Sequence, residues 1–241
     1  MTTRARARPH VICHMCTSLD GKILAQRWGR LPGAGDSGSL FERTAASFRV
    51  PAWLVGTTTM QEFAARTAHL PDADDSVARA DSLAAPRARS FAIGTDAHGV
   101  LRFKRGDVQG DHVVLLVTDR VSDGYLAHLR RAGVSYLFCG RERINLATAL
   151  RKIGRKLRLR KLMLEGGGTF NGAMLKAGLI DEVSQVILPV IDGSVGITSI
   201  FDIPGRPLRH AAARLRLVSH RALPGGVQWL RYRIARQSHS A

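Results

Sequence analysis

The 241-residue chain is 45% hydrophobic and 23% charged, enough apolar mass to bury the core of one α/β domain. No stretch reaches the roughly 20 uninterrupted apolar residues of a membrane span, and the Arg-rich start lacks the apolar centre of a secretory signal. No membrane-spanning helix and a cytoplasmic location are expected. The three cysteines, Cys13, Cys16 and Cys139, sit in apolar runs and read as small buried hydrophobes rather than a disulfide framework. A formal charge of +17 attracts polyanions or phosphorylated small molecules. Its densest run, Arg151 to Lys161, also suits a solvated helix face followed by a loop. With three Tyr, three Trp and no aromatic residues interleaved among the basic ones, no stacking platform for nucleic acid is visible. Nucleic acid therefore stays a minor alternative.

In chain order, Val11 to Cys16 reads as a strand emptying into the turn Thr17-Ser18-Leu19-Asp20-Gly21. A Gly-rich loop through Gly29, Gly33, Gly35 and Gly38 follows. Apolar residues at 40, 41, 45 and 48 predict one face of a helix, and Ala52 to Val55 predicts a buried strand ending at Gly56. Thr57, Thr58 or Thr59 can cap the next helix. Residues 71–89 lack periodicity and read as a surface excursion, either a lid or an idle loop. Ser90 to Ile93 and His112 to Val117 predict two more buried strands, separated by the turn Asp96 to Gly99.

Ser122 caps a helix through Ala132. Strand Tyr136 to Cys139, helix Asn145 to Lys156, strand Leu162 to Leu164 and helix Thr169 to Ala177 follow, with Gly178 as a left-handed cap. This alternation predicts a mainly parallel sheet with helices on both faces. Leu215 to Ser219 and Val227 to Ile234, flanking Leu223-Pro-Gly-Gly226, predict a C-terminal antiparallel hairpin. One domain over residues 1–241 is expected, with 1–8 as a disordered tail.

The strongest chemical signal is Glu165-Gly166-Gly167-Gly168-Thr169-Phe170, an apolar strand running into three glycines and then a helix. Glycines allow close backbone approach, and a helix start aims N–H groups and positive dipole at an anion such as a pyrophosphate. A tight turn needing glycine for packing alone is the rival explanation. The pattern is not the G-x-G-x-x-G of a Rossmann fold, so another dinucleotide fold is required. Val55-Gly56-Thr57-Thr58-Thr59 is a second loop at a strand's carboxyl end. In Ser18-Leu19-Asp20-Gly21, a carboxylate can accept hydrogen bonds from a heterocycle, or simply close an Asp-Gly turn. Cys13-His14-Met15-Cys16 has zinc-like spacing, but residues 13 and 16 point to opposite faces of a strand, so no metal site is expected.

Pro9 to Ile23, Ala52 to Thr59 and Leu162 to Gly193 together resemble the pyrimidine reductases of riboflavin biosynthesis. These form the C-terminal reductase domain of the bifunctional deaminase/reductase, a branch of the dihydrofolate-reductase-like fold. Thr17 to Lys22 and Glu165 to Glu182 carry the resemblance most specifically. It implies NADPH held by Val55, Gly56, Thr58 and Thr59 and by Glu165, Gly166, Gly167, Gly168, Thr169 and Phe170, with Thr95 placed to read the adenosine 2′-phosphate. It also implies a heterocyclic substrate, phosphorylated or not, near Ser18 and Asp20, and a homodimer. Asp20 and Glu165 are the expected catalytic carboxylates, orienting the ring; either of them or a water can deliver the proton while hydride passes from the nicotinamide, and Glu165 equally suits holding the strand-to-glycine turn through backbone N–H groups.

Two departures lie on the substrate side. His14 stands where the family usually has lysine, and Met60 to Arg66 replaces an Asp-x-Pro element. His14 either turns toward the substrate or is satisfied within the core. The N-terminal residues carry no deaminase zinc signature. Two rivals remain: a pteridine or dihydrofolate-type reductase on the same scaffold, and a non-catalytic dinucleotide-binding module.

Overall fold

The computed structural model describes residues 8–31, 33, 35–65, 77–205 and 212–235. Among them the elements run β1 (His10–Thr17), α1 (Ser37–Ala46), β2 (Ala52–Val55), α2 (Thr57–Gln61), β3 (Phe91–Asp96), β4 (Asp107–Val108) and β5 (Asp111–Val117). They continue with α3 (Asp123–Arg131), β6 (Ser135–Phe138), α4 (Leu146–Lys156), β7 (Lys161–Leu164), α5 (Gly168–Lys176), β8 (Glu182–Ile187), β9 (Leu215–Ala222) and β10 (Gln228–Ile234). The expected tail falls almost wholly outside the described residues, as do residues 66–76 of the excursion and its approach. The chain divides into two compact units, one built on residues 1–9 and 51–162, the other on 10–50 and 163–241.

In the first unit β2, β3, β5 and β6 pair in that order, all parallel, and the short β4 runs antiparallel to the start of β5. Their apolar runs are buried because helices cover parallel sheets on both faces. The core gathers Val55, Met60, Leu101, Val113, Leu115, Tyr125, Leu129 and Tyr136. Gly94 belongs to this packing, since a Cβ there would lie 2.6 Å from the Met60 side chain. Ser122 and Asn145 cap α3 and α4 by accepting from the N–H groups of Tyr125 and Thr148.

The described part of the excursion is tied down. Asp81 accepts from Lys152 Nζ at 2.8 Å and from the N–H of Phe138 at 2.8 Å, and Lys156 Nζ lies 3.1 Å away. Ser82 bridges Tyr136 in antiparallel fashion, and the N–H of Ala84 donates to Ser135. Residues 79–84 are thus neither lid nor idle loop, because their polar groups are consumed by β6 and α4.

In the second unit β1 pairs parallel with β8, which pairs antiparallel with β10, and β10 with β9. The C-terminal hairpin forms as its turn chemistry predicts, with a bulge between Arg231 and Tyr232. Helix α1 starts earlier than the apolar spacing predicts. Asp36 caps it through the N–H of Ser39, which draws Gly38 out of the expected loop and into the first turn. Gly178 adopts φ +66° after α5, as the left-handed cap requires.

Candidate active site

The first unit presents a glycine-led helix start at the carboxyl end of β2. Gly56 is the N-cap of α2 and provides no side-chain cap, so the threonines do not take the capping role expected of them. Thr57 instead donates to the carbonyl of Thr95 at 2.6 Å, with the two hydroxyls 3.1 Å apart, stitching the ends of β2 and β3. Thr95 is 7% exposed, whereas Thr58 is exposed. The resemblance left Thr57 out of the dinucleotide set, and three consecutive threonines give no sign of which one turns toward the neighbouring strand.

In the second unit, the loop after β1 is closed on itself. Ser18, 0% exposed, donates to Asp20 Oδ1 at 2.6 Å and accepts from the N–H of Lys22 at 2.9 Å, while Gly21 takes φ +80°. Asp20 also accepts from the N–H groups of Asp192 and Gly193, at 3.0 and 2.9 Å. The Ser18 hydroxyl, followed by these two N–H groups, holds the Asp20 carboxyl down at about 2. Asp20 is thereby favoured in its ionised form and serves as an acceptor.

Asp192, which sequence reasoning missed, is itself held below the usual carboxylate range by Arg27 and Ser194, with Trp28 Nε1 at 3.2 Å. Its only sequence signal is a further Asp-Gly step, Asp192-Gly193. Asp20→Asn should detach the 192–193 loop by offering an amide N–H to a backbone N–H. Turnover is expected to fall at least about tenfold while dinucleotide affinity changes less, read as a kcat against Kd comparison. An equal loss in both would make Asp20 purely architectural.

His14 lies at the centre of β1 and is 0% exposed. Its Nδ1 pairs with Ser184 Oγ at 2.9 Å and its Nε2 with Thr44 Oγ1 at 3.0 Å, while Trp229 Nε1 donates to the same Ser184 oxygen at 2.9 Å. Phe41 and Phe48 pack at a tilt against the ring. Burial lowers its pKa to about 4. Of the two roles open to His14, the core role is the one its surroundings describe; the substrate-binding role is corrected for want of a free nitrogen or an exposed edge.

Glu165, half-buried between β7 and the glycines, lies close enough to Cys13 for its charge to add to burial in raising that thiol. Gly167 is the N-cap of α5 and again supplies no side-chain cap. Gly168 is different from a ligand-facing glycine. A Cβ there would sit 2.0 Å from the Ser199 carbonyl oxygen and 2.7 Å from Thr198 Cγ2, and one on Gly172 would sit 2.2 Å from the Asp202 carbonyl oxygen. The N–H of Asp202 donates to the Gly168 carbonyl at 2.9 Å. The packing alternative thus applies to Gly168, while Thr169 stays exposed and Phe170 half-buried.

Among the described residues, no group of three or more His, Cys, Asp or Glu side chains could hold a metal ion, and no helix is long and apolar enough to cross a membrane. Cys13 and Cys16 are buried free thiols, with burial pushing Cys16 up to about 12.

Residues 9–229 match the profile of the RibD C-terminal domain. The chain belongs to the RibD C-terminal domain family. It is 30% identical, over 87% of its own length and 91% of the relative's, to the 2,5-diamino-6-ribosylamino-4(3H)-pyrimidinone 5′-phosphate reductase of Methanothermobacter thermautotrophicus. A pyrimidine reductase-like protein from Corynebacterium diphtheriae shares the fold with a TM-score of 0.67 at 17% identity, over 98% of this chain and 96% of that one. Acinetobacter baumannii RibD matches with a TM-score of 0.65 at 19% identity over 95% of this chain, which spans only 59% of that RibD. The dihydrofolate-reductase-like architecture expected from the sequence is the fold of this RibD domain.

Proposed function

We propose that this RibD-type domain is an NADPH-dependent reductase of a phosphorylated ribosylamino-pyrimidine, the class of compound named for its Methanothermobacter relative. One contrast carries the reading. Helices α1, α3 and α4 have their first turns capped by Asp36, Ser122 and Asn145, whereas α2 and α5, which follow glycines at strand ends, have no side-chain cap. The positive end of a helix that starts at a strand's carboxyl end attracts phosphate oxygens, and a glycine there lets them approach the backbone. Taken separately, each loop suits a phosphate-bearing part of a dinucleotide: Val55, Gly56, Thr58 and Thr59, with Thr95, in the first unit, and Glu165 to Phe170 in the second.

When bound, NADPH supplies a hydride to the ring. The chain's work is alignment. Asp20, ionised and braced by Ser18, fixes the loop from Asp192, so that its charge orients a ring N–H. Glu165, at the mouth of the glycine turn, is the remaining carboxylate able to hold or pass a proton, alone or through water. The buried, neutral His14 supports the strand beneath Ser18 instead of touching substrate. A cytoplasmic homodimer completes the reading, supported by the apolar residues Leu215, Leu217 and Val218, which are 42–53% exposed on β9.

The test is a calorimetric titration with NADPH and NADH, followed by turnover on a panel of ribosylamino-pyrimidines and pterins. Saturable NADPH binding with oxidation only in the presence of a pyrimidine is expected. Turnover confined to pterins would transfer the domain to the folate-type chemistry, and binding without turnover would leave a dinucleotide-binding module.

A further inference from the structure

We propose that the loops at the carboxyl ends of β5 and β6 form a binding site for a phosphomonoester dianion, held by Arg120, Arg141 and Arg143. This inference does not rest on the reductase reading. The two strands are parallel neighbours, with Val117 opposite Phe138, so their terminal loops emerge side by side. Ligands of parallel α/β sheets bind at this end.

Both loops are braced by their own backbones. The N–H of Asp119 donates to the Gly140 carbonyl at 3.1 Å, the N–H of Cys139 to that of Val117 at 2.8 Å, and the N–H of Asn145 closes the 139–145 loop on the Cys139 carbonyl at 2.7 Å. Gly140, at φ +155°, is required here, because a Cβ would fall 2.0 Å from the Arg143 carbonyl oxygen. From the other side the Arg79 guanidinium donates to the carbonyls of Asp119 and Val121, at 3.3 and 2.5 Å, and pairs with Asp123. The frame is set before any ligand arrives.

Asp119, Arg120, Arg141, Glu142 and Arg143 line a cavity of about 700 Å³ in this frame. Among the described residues, the guanidinium groups of Arg120, Arg141 and Arg143 take part in no ion pair or side-chain hydrogen bond, although both carboxylates share the cavity. Three cations against two anions leave a small net positive charge, a poor match for a long polyanion, whose neighbouring phosphates would meet Asp119 and Glu142. One compact dianion is the better match, since the guanidinium fork bonds phosphate oxygens in pairs. The N-terminus of α4 is already capped by Asn145 and contributes no spare donor, so recognition falls to the arginines.

The phosphate group has two possible sources: the 2′-phosphate of a nicotinamide dinucleotide, or a separate phosphorylated small molecule. Calorimetric titration of the full chain with adenosine 2′-monophosphate, with ribose 5-phosphate, and with adenosine as the uncharged control separates site from source. Saturable binding of a phosphomonoester but not of adenosine is expected. The triple substitution Arg120→Gln, Arg141→Gln, Arg143→Gln should weaken it at least about tenfold without moving the melting temperature, because all three side chains are exposed.

If the triple variant loses NADPH affinity while NADH binds as before, the dinucleotide is the source. If both dinucleotides bind unchanged and only the small phosphate ester is lost, the source is a separate ligand. Non-saturating heats, or equal affinity in the triple variant, would overturn the proposal. Absence of any NADPH turnover would count against the reductase alone, since the monophosphate titration reads the arginine site by itself.

Discussion

Gly168→Ala should destabilise the protein by about 2 kcal/mol or more and lower its melting temperature by about 5 °C or more, even without any ligand. The added methyl would lie 2.0 Å from the Ser199 carbonyl oxygen, a backbone atom with little room to retreat. Ser199 donates through both its N–H and its hydroxyl to Asp202, the N–H of Ile200 donates to the Gly21 carbonyl, and Asn171 Nδ2 donates to that of Ile200. Moving residues 198–202 would therefore strain several bonds together. Alanine's better helix propensity offsets at most about 1 kcal/mol of this. A melting temperature within a degree of the parent, with dinucleotide affinity lost, would show that Gly168 faces a ligand instead of the 198–202 loop.

A second large effect is expected on acidification. The folded state holds His14 near 4 against an ordinary value of 6.5, because burial disfavours the imidazolium. A depressed histidine contributes stability that is complete above its unfolded value and is lost as pH falls from about 6.5 toward 4, where the unfolded chain binds a proton that the fold refuses. A fall from 6.5 to about 4 corresponds to about 3 kcal/mol. His112 and His128 are lowered for the same reason and steepen the loss. Denaturant midpoints measured between pH 7 and pH 4 should reveal it. His14→Gln, which keeps polar atoms near Ser184 and Thr44, should start less stable at pH 7 but show a shallower slope. Parallel slopes in parent and variant would mean that His14 takes up its proton equally in the folded and the unfolded chain.

Much of the architecture was legible because it is written locally. Ser122 and Asn145 stand one residue before the helices they cap, Gly178 follows α5, and Leu223 to Gly226 separates two strand-like runs. Two-residue β4 escaped notice because its turn places Gln109 at φ +52° beside Gly110 at φ +90°, and glutamine is no marker of left-handed backbone. The site was legible in its position but less so in its roles. Glu165 to Phe170 does join a strand to a helix, yet nothing near Gly168 announces a carbonyl arriving from Ser199. Asp20 looked like a ring acceptor, and its partners at 192 and 193 lie too far along the chain for spacing to reveal. Residues 77–89 failed for the same reason: Asp81 finds Lys152 across 71 positions of sequence.

That clasp has a further consequence for how the chain survives as a free protein. Strand β6 pairs with β5 along one side, and its other side would present unpaired N–H and C=O groups, a template on which a foreign strand could grow. Ser82 pairs with Tyr136 in both directions, while Asp81 and Ala84 occupy Phe138 and Ser135. The stretch that looks dispensable in sequence thus acts as a selvedge, and a chain shortened there would open the second edge of β6 to pairing with a foreign strand.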